Sequence, residues 1–95
     1  MTVKILIKRQ VPEHKVEALA RMLRELRTRT MNQPGYISGE TLQRVDRPGQ
    51  TLVISTWASA DHWRAWVLSP ARCAVQEKID ALLGVPTEYE IYELG

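Results

Sequence analysis

Proline and glycine divide this chain into short segments, and each segment carries only one of two apolar periods. The breaks fall at Pro12, Pro34-Gly35, Pro48-Gly49, Pro70 and Gly84 with Pro86. Each is a place where a helix ladder or a strand cannot simply run on. The order of periods between them constrains the fold before any single residue is weighed.

Val3, Ile5 and Ile7 alternate with Lys4, Leu6 and Lys8, a strand rich in β-branched side chains. Pro12 and Glu13 suit the first turn of a helix, and Val16, Leu19, Ala20, Leu23, Leu26 and Thr30 recur at spacings of three and four. That helix is predicted to end near Thr30, where Asn32, Pro34 and Gly35 stop it. Tyr36 to Val45 and Thr51 to Trp57 read as two strands of an antiparallel hairpin joined through Asp46-Arg47-Pro48-Gly49. Ser59 caps a short helix carrying Trp63, Trp66 and Val67, and Ser69-Pro70 interrupts it. The helix resumes with Val75, Ile79, Leu82 and Leu83 on one face. Thr87 to Glu93 is the last strand, with Tyr89 and Ile91 opposed to Glu88, Glu90 and Tyr92.

Strand, helix, strand, strand, helix, strand is the ferredoxin-like βαββαβ order of the α+β class. Right-handed crossovers put the helices on one face of a four-stranded antiparallel sheet. With 95 residues the chain is a single domain, 1–95, and a chain of that size buries only about 60–65% of its unfolded surface. The other sheet face, carrying Leu6 and by this reading several aromatics, is left bare, so a homodimer is expected.

Thirteen basic against eleven acidic residues leave a formal charge of +2, which gives no footprint for nucleic acid and no polybasic membrane patch. Val3 to Ile7, interrupted by Lys4, is too short for the core of a secretory signal, and no stretch nears the roughly 20 apolar residues of a span. Cys73 is the only cysteine, so it has no internal disulfide partner, and a cytoplasmic location is expected. A small neutral molecule is the partner this balance suits.

Few residues offer chemistry. Trp57, Trp63 and Trp66 fall within ten residues of a chain that has no phenylalanine. They either pack onto the sheet or wall a pocket for a flat ring. His14 and His62 each sit in a first helical turn, where a solvated side chain is the ordinary reading. Cys73 reads as a small buried hydrophobe, and Arg21, Arg24, Arg27 and Arg29 as a solvated helix face. No H-x-x-x-H, C-x-x-C or paired-carboxylate pattern occurs, nor does any glycine-rich phosphate loop, so neither a metal nor a nucleotide cofactor is expected. Tyr36, Arg44, Tyr89 and Tyr92 are strand-borne or near it, and their faces are left open.

Pro34-Gly35, then V-I-S-T-W-A-S from Val53 to Ser59, then A-D-H-W-R-A-W-V-L-S-P from Ala60 to Pro70, resemble the antibiotic biosynthesis monooxygenase family. The resemblance implies a dimeric α+β barrel, with two sheets face to face and a small pocket between each sheet and its helices. It implies a cofactor-independent monooxygenase acting on a small phenolic or quinol ring. Trp66 takes a family position held by histidine in quinol oxidisers and by tryptophan in heme degraders and some cofactor-free oxygenases. The heme degraders' axial histidine falls on Gln76, their strand-one asparagine near Lys8 or Arg9, and a frequent quinol-oxidiser histidine on Ala71. The pocket candidates are therefore Trp66, Trp63, Trp57, Gln76 and His62. Alternatives are a non-catalytic ligand-binding member of the same fold, or heme binding without degradation.

Overall fold

The computed structural model describes residues 1–94. Four strands, β1 (Val3–Gln10), β2 (Tyr36–Gln43), β3 (Gln50–Trp57) and β4 (Glu88–Glu93), form one sheet in the order β2-β3-β1-β4. Every neighbouring pair is antiparallel. The helices are α1 (Val16–Thr30), α2 (Ala60–Val67) and α3 (Pro70–Leu83). This is the expected ferredoxin-like βαββαβ architecture.

Local chemistry sets most boundaries. Ser59 Oγ accepts from the His62 N–H to open α2, and Ser69 Oγ accepts from the Arg72 N–H to open α3 with Pro70 in its first turn. Gly84 ends α3 at φ +75°. The start of α1 departs from the expectation. Pro12 is extended, at φ −61° and ψ 143°, and Glu13–Lys15 form a separate 3-10 turn before Val16. Neither Pro12 nor Lys15 offers a capping side chain, so the first turn tightens instead. β2 stops at Gln43, two residues short of Val45, because Arg44 turns out to bind Asp46 and Gln50 across the loop.

β1 alternates as read: Val3, Ile5 and Ile7 are buried and Lys4 and Lys8 are exposed. The inner face of the sheet packs on Leu19 and Leu26 of α1 and on Val75, Ile79 and Leu83 of α3. Trp57, Trp63 and Trp66 complete this core, and Trp57 is wholly buried. An aromatic row runs through it, with Tyr36–Trp57, Trp57–Trp63 and Trp63–Tyr89 centroids at 5.5, 5.9 and 5.7 Å.

Two expectations need correction. Cys73 is exposed, because the stripe of α3 that faces the sheet is Arg72, Val75, Gln76, Ile79 and Leu83. The outer sheet face carries Leu6, Leu52, Ile54 and Leu42, but Tyr92 is its single aromatic, since Tyr36 and Tyr89 turn inward onto the tryptophans. Lys8 lies on that outer face 2.9 Å from Glu90, whose carboxylate raises the Lys8 ammonium above its ordinary value.

Gly35 joins α1 to β2 at φ +83°, and a Cβ there would lie 2.3 Å from the His62 ring and 2.5 Å from its Cβ. The contact is with the root of the side chain, so α2 itself must move. Gly35→Ala is expected to cost about 1–3 kcal/mol of stability, read as a lower urea midpoint at unchanged m-value.

Candidate functional site

The tryptophans fill the space beneath α2 and α3, and the gap in the molecule lies elsewhere. Between the inner sheet face and α1 is a hollow of about 310 Å³. Its floor is Ile7, Arg9, Val53 and Ser55, and its roof is Ala20, Leu23 and Leu26, with Arg24 and Arg27 at the rim. Small residues create it: Ala20 on the helix and Gly39, Thr41 and Ser55 on the strands leave volume that larger side chains would occupy. That volume sits at the lower end of the roughly 300–1,000 Å³ of small-molecule sites, enough for a ring of modest size. A larger groove of about 890 Å³ curls around the end of the sheet, from Lys8 and Leu52 on the outer face to Arg9 on the inner one. The hollow, walled by the sheet on one side and α1 on the other, is the space of single-ring size.

Polar groups converge on that hollow. Ser55 Oγ accepts a 2.7 Å hydrogen bond from Trp57 Nε1, which leaves the hydroxyl proton of Ser55 free to be donated. Tyr36 stands edge-on to Trp57 with its ring over Gly39, where a Cβ would lie 2.9 Å from the tyrosine oxygen. Arg9 extends the buried row of Val3, Ile5 and Ile7 and is 6% exposed. Its Nε is the one buried side-chain nitrogen or oxygen without a hydrogen-bond partner among the described residues. Burial pushes its guanidinium below the ordinary arginine value, Arg72 pushes the same way, and Tyr89 and Asp80 oppose them.

Beyond Arg9 lies a second buried cation. Arg72, 4% exposed, has its guanidinium carbon 5.4 Å from the Trp63 ring centre and 5.1 Å from that of Tyr89. It donates to Gln76 Oε1 at 3.3 Å and to the Tyr89 hydroxyl. Gln76 Nε2 in turn donates to Asp80 Oδ1 and Thr87 Oγ1, both at 2.8 Å. Asp80 Oδ1 also accepts from the Thr87 N–H and hydroxyl. No ion pair among the described residues includes Arg9 or Arg72.

Of the residues singled out in the sequence, Trp57, Trp63 and Trp66 are core side chains and none lines the hollow. Trp57 reaches it indirectly, through Ser55 and Tyr36. Gln76 is buried with its amide engaged on both ends, and His62 is at the surface with Nδ1 2.7 Å from Ser59 Oγ. The residues present do not suit heme: Gln76, on which the resemblance puts the heme degraders' histidine, has its oxygen accepting from Arg72, and neither histidine lines the hollow. Among the described residues, no three His, Cys, Asp or Glu side chains gather as metal ligands would. No helix among them is long and apolar enough to cross a membrane.

The fold and the hollow define an α+β domain of ferredoxin-like topology with a small-molecule-sized space under its first helix. The model of one family, antibiotic biosynthesis monooxygenase, matches residues 2–78, and the chain belongs to that family. A comparison with curated proteins finds no match. Among solved structures, a conserved protein from Methanosarcina mazei Go1 is similar at a TM-score of 0.91 and 19% identity, over 100% of this chain and 94% of that one. Rv0793 from Mycobacterium tuberculosis gives 0.86 and 17%, over 100% and 96%. A mutant form of SnoaB, a cofactor-independent oxygenase from Streptomyces nogalater, gives 0.81 and 17%, over 98% and 92%. At these identities the likeness is one of fold.

Proposed function

We propose that this protein is a cofactor-independent monooxygenase of a small phenolic or quinol ring held between the sheet and α1. The observation that carries the reading is the convergence of the Ser55 hydroxyl, the Tyr36 ring and the Arg9 cation on one hollow, in a chain of this family. A ring lies against Ile7, Val53 and Leu23, with its oxygen toward Ser55 and Arg9. Those donors favour the phenolate over the phenol, and an electron-rich phenolate is itself the reductant of dioxygen. For a quinol the balance closes without further reactants. One ring carbon gains an oxygen atom, the quinol becomes a hydroxyquinone, and the second oxygen leaves as water with both hydrogens from the substrate's oxidation.

The test is oxygen uptake by purified protein with a panel of quinols and naphthols, chelator present and nothing else added. Uptake matched one to one by hydroxyquinone is the expected result, and Ser55→Ala should lower kcat by about 10-fold or more. Uptake no faster than in buffer rejects the activity. A second reading, a binding member without catalysis, draws on one observation: both histidines, the usual proton-transfer side chains, are exposed and outside the hollow. In that case rings bind without consuming oxygen.

Dimerisation belongs to the same proposal, since Leu6, Leu42, Leu52 and Ile54 line a sheet face that no helix of this chain covers. Light scattering should give about twice the 10.9 kDa of the chain at micromolar concentration, and a clean monomer contradicts it. The single exposed thiol, Cys73, suits a reducing cytoplasm.

A further inference from the structure

Tyr36 and Gly39 stand three residues apart on β2, a spacing that strict alternation would send to opposite faces of the sheet. Both line the hollow on the inner face. The pairing of β2 with β3 slips between them: Tyr36 stands opposite Trp57 and Ser38 opposite Thr56, which leaves Ile37 without a partner. That extra residue is a β-bulge, a device that re-aims a neighbouring side chain. In an unbroken register Ile37 would take the inward place opposite Trp57, and Tyr36 would face out.

Once turned inward, the Tyr36 ring meets Trp57 edge-on and its hydroxyl lies over Gly39, 2.9 Å from where a Cβ would stand. Gly39 is what gives the hydroxyl this room. Its backbone does not ask for glycine, since the positive φ values belong to Gly35, Gly49 and Gly84. A glycine inside a strand weakens it, and marks a close approach by a ligand or another group. Tyr89 has its hydroxyl bonded to Arg72, whereas that of Tyr36 bonds to no group among the described residues. Directly opposite Gly39 stands Ser55, its oxygen held by Trp57 Nε1 and its proton free. Two hydroxyls therefore face one hollow from neighbouring strands, about 4.7–4.9 Å apart, without bonding to each other.

We infer that Tyr36 is a specificity-determining residue, whose hydroxyl binds a second ring oxygen across the ring from the one that Ser55 faces. The preferred ligand is then a para-dihydroxy ring rather than a monophenol. This rests on the reading of the hollow as the ring site, but not on turnover. A phenolic hydroxyl both donates and accepts, so Tyr36 can meet the oxygen that keeps its proton while Ser55 donates to the one that loses it. A ring with one oxygen leaves the Tyr36 hydroxyl unpaired in the closed site, and that loss sets the preference.

The experiment is calorimetric titration in oxygen-free buffer with 1,4-dihydroxynaphthalene and with 1-naphthol, which share a ring system and differ by one hydroxyl. The diol should bind the wild type about 5–10-fold more tightly, within the range of one net hydrogen bond. Tyr36→Phe keeps the ring on Trp57 and removes only the oxygen, so it should weaken the diol by that factor and move the naphthol by less than about twofold. Gly39→Ala, whose Cβ takes the place of the hydroxyl and finds its other neighbours at 3.8 Å, should remove the preference as well. The comparison of ligands on the wild type needs no variant, so it stands even if a substitution fails to fold. Equal affinity for the two ligands overturns the role of Tyr36 and leaves the ring site in place. A preference for the diol that survives Tyr36→Phe overturns that role too. Binding of neither ligand overturns the ring site itself, and with it the function proposed above.

Discussion

Trp57→Ala should remove about 3–5 kcal/mol of stability, the range for truncating a buried tryptophan. A domain of this length holds only about 5–15 kcal/mol in all, so the variant should be largely unfolded in modest urea. Three losses combine: the packing of a fully buried indole, its edge contact with Tyr36, and the hydrogen bond to Ser55. Trp66→Ala belongs to the same class, because Trp66 is 3% exposed and within the core. Its effect should fall on the urea midpoint, with ring affinity unchanged in the fraction that remains folded. A weakened ligand at an unmoved midpoint would return Trp66 to the pocket wall.

Asp80→Ala is the second large effect, at about 2–4 kcal/mol. The substitution leaves one Gln76 amide hydrogen and the Thr87 N–H without their acceptor, and it removes the carboxylate opposing Arg9. Asp80→Asn keeps an acceptor oxygen and loses only the charge, so it should cost about half as much. If the charge matters because two cations lie nearby, Arg9→Met should recover part of the loss in the double variant. Strict additivity of the two substitutions would show that Arg9 and Asp80 do not sense each other.

The fold was legible because its signals are periodic: the alternation of β1, the stripe of α1 from Leu19 to Leu26 and the Ser59 and Ser69-Pro70 breaks stand where the sequence placed them, whereas Val16, at the start of that stripe, is exposed. The site was less legible, for a reason that Arg9 and Arg72 make plain. Both lie on buried periods, Arg9 two residues beyond Ile7 and Arg72 three before Val75. Periodicity gives a residue's face whatever its charge, so extending each apolar row by one step would have found both. The three tryptophans are the most visible aromatic signal in the sequence, but they are core side chains. Large aromatics close space, whereas the run of small residues, Ala20, Gly39, Thr41 and Ser55, opens it. No short-range pattern links those four, because one lies on a helix and three on two paired strands. Cys73 follows from the same stripe: Arg72, Val75, Gln76, Ile79 and Leu83 take the inward face of α3, and Cys73 lies outside it.

The claim that the hollow under α1 receives the ring can be read directly from methyl shifts. With isoleucine, leucine and valine methyls labelled, titration of a naphthol should move Ile7, Leu23, Leu26 and Val53 together, with one dissociation constant. Val75 and Ile79, beneath α3, should stay in place. Shifts confined to Leu42, Leu52, Leu83 and Val85 would place the ring in the groove at the end of the sheet and contradict the account.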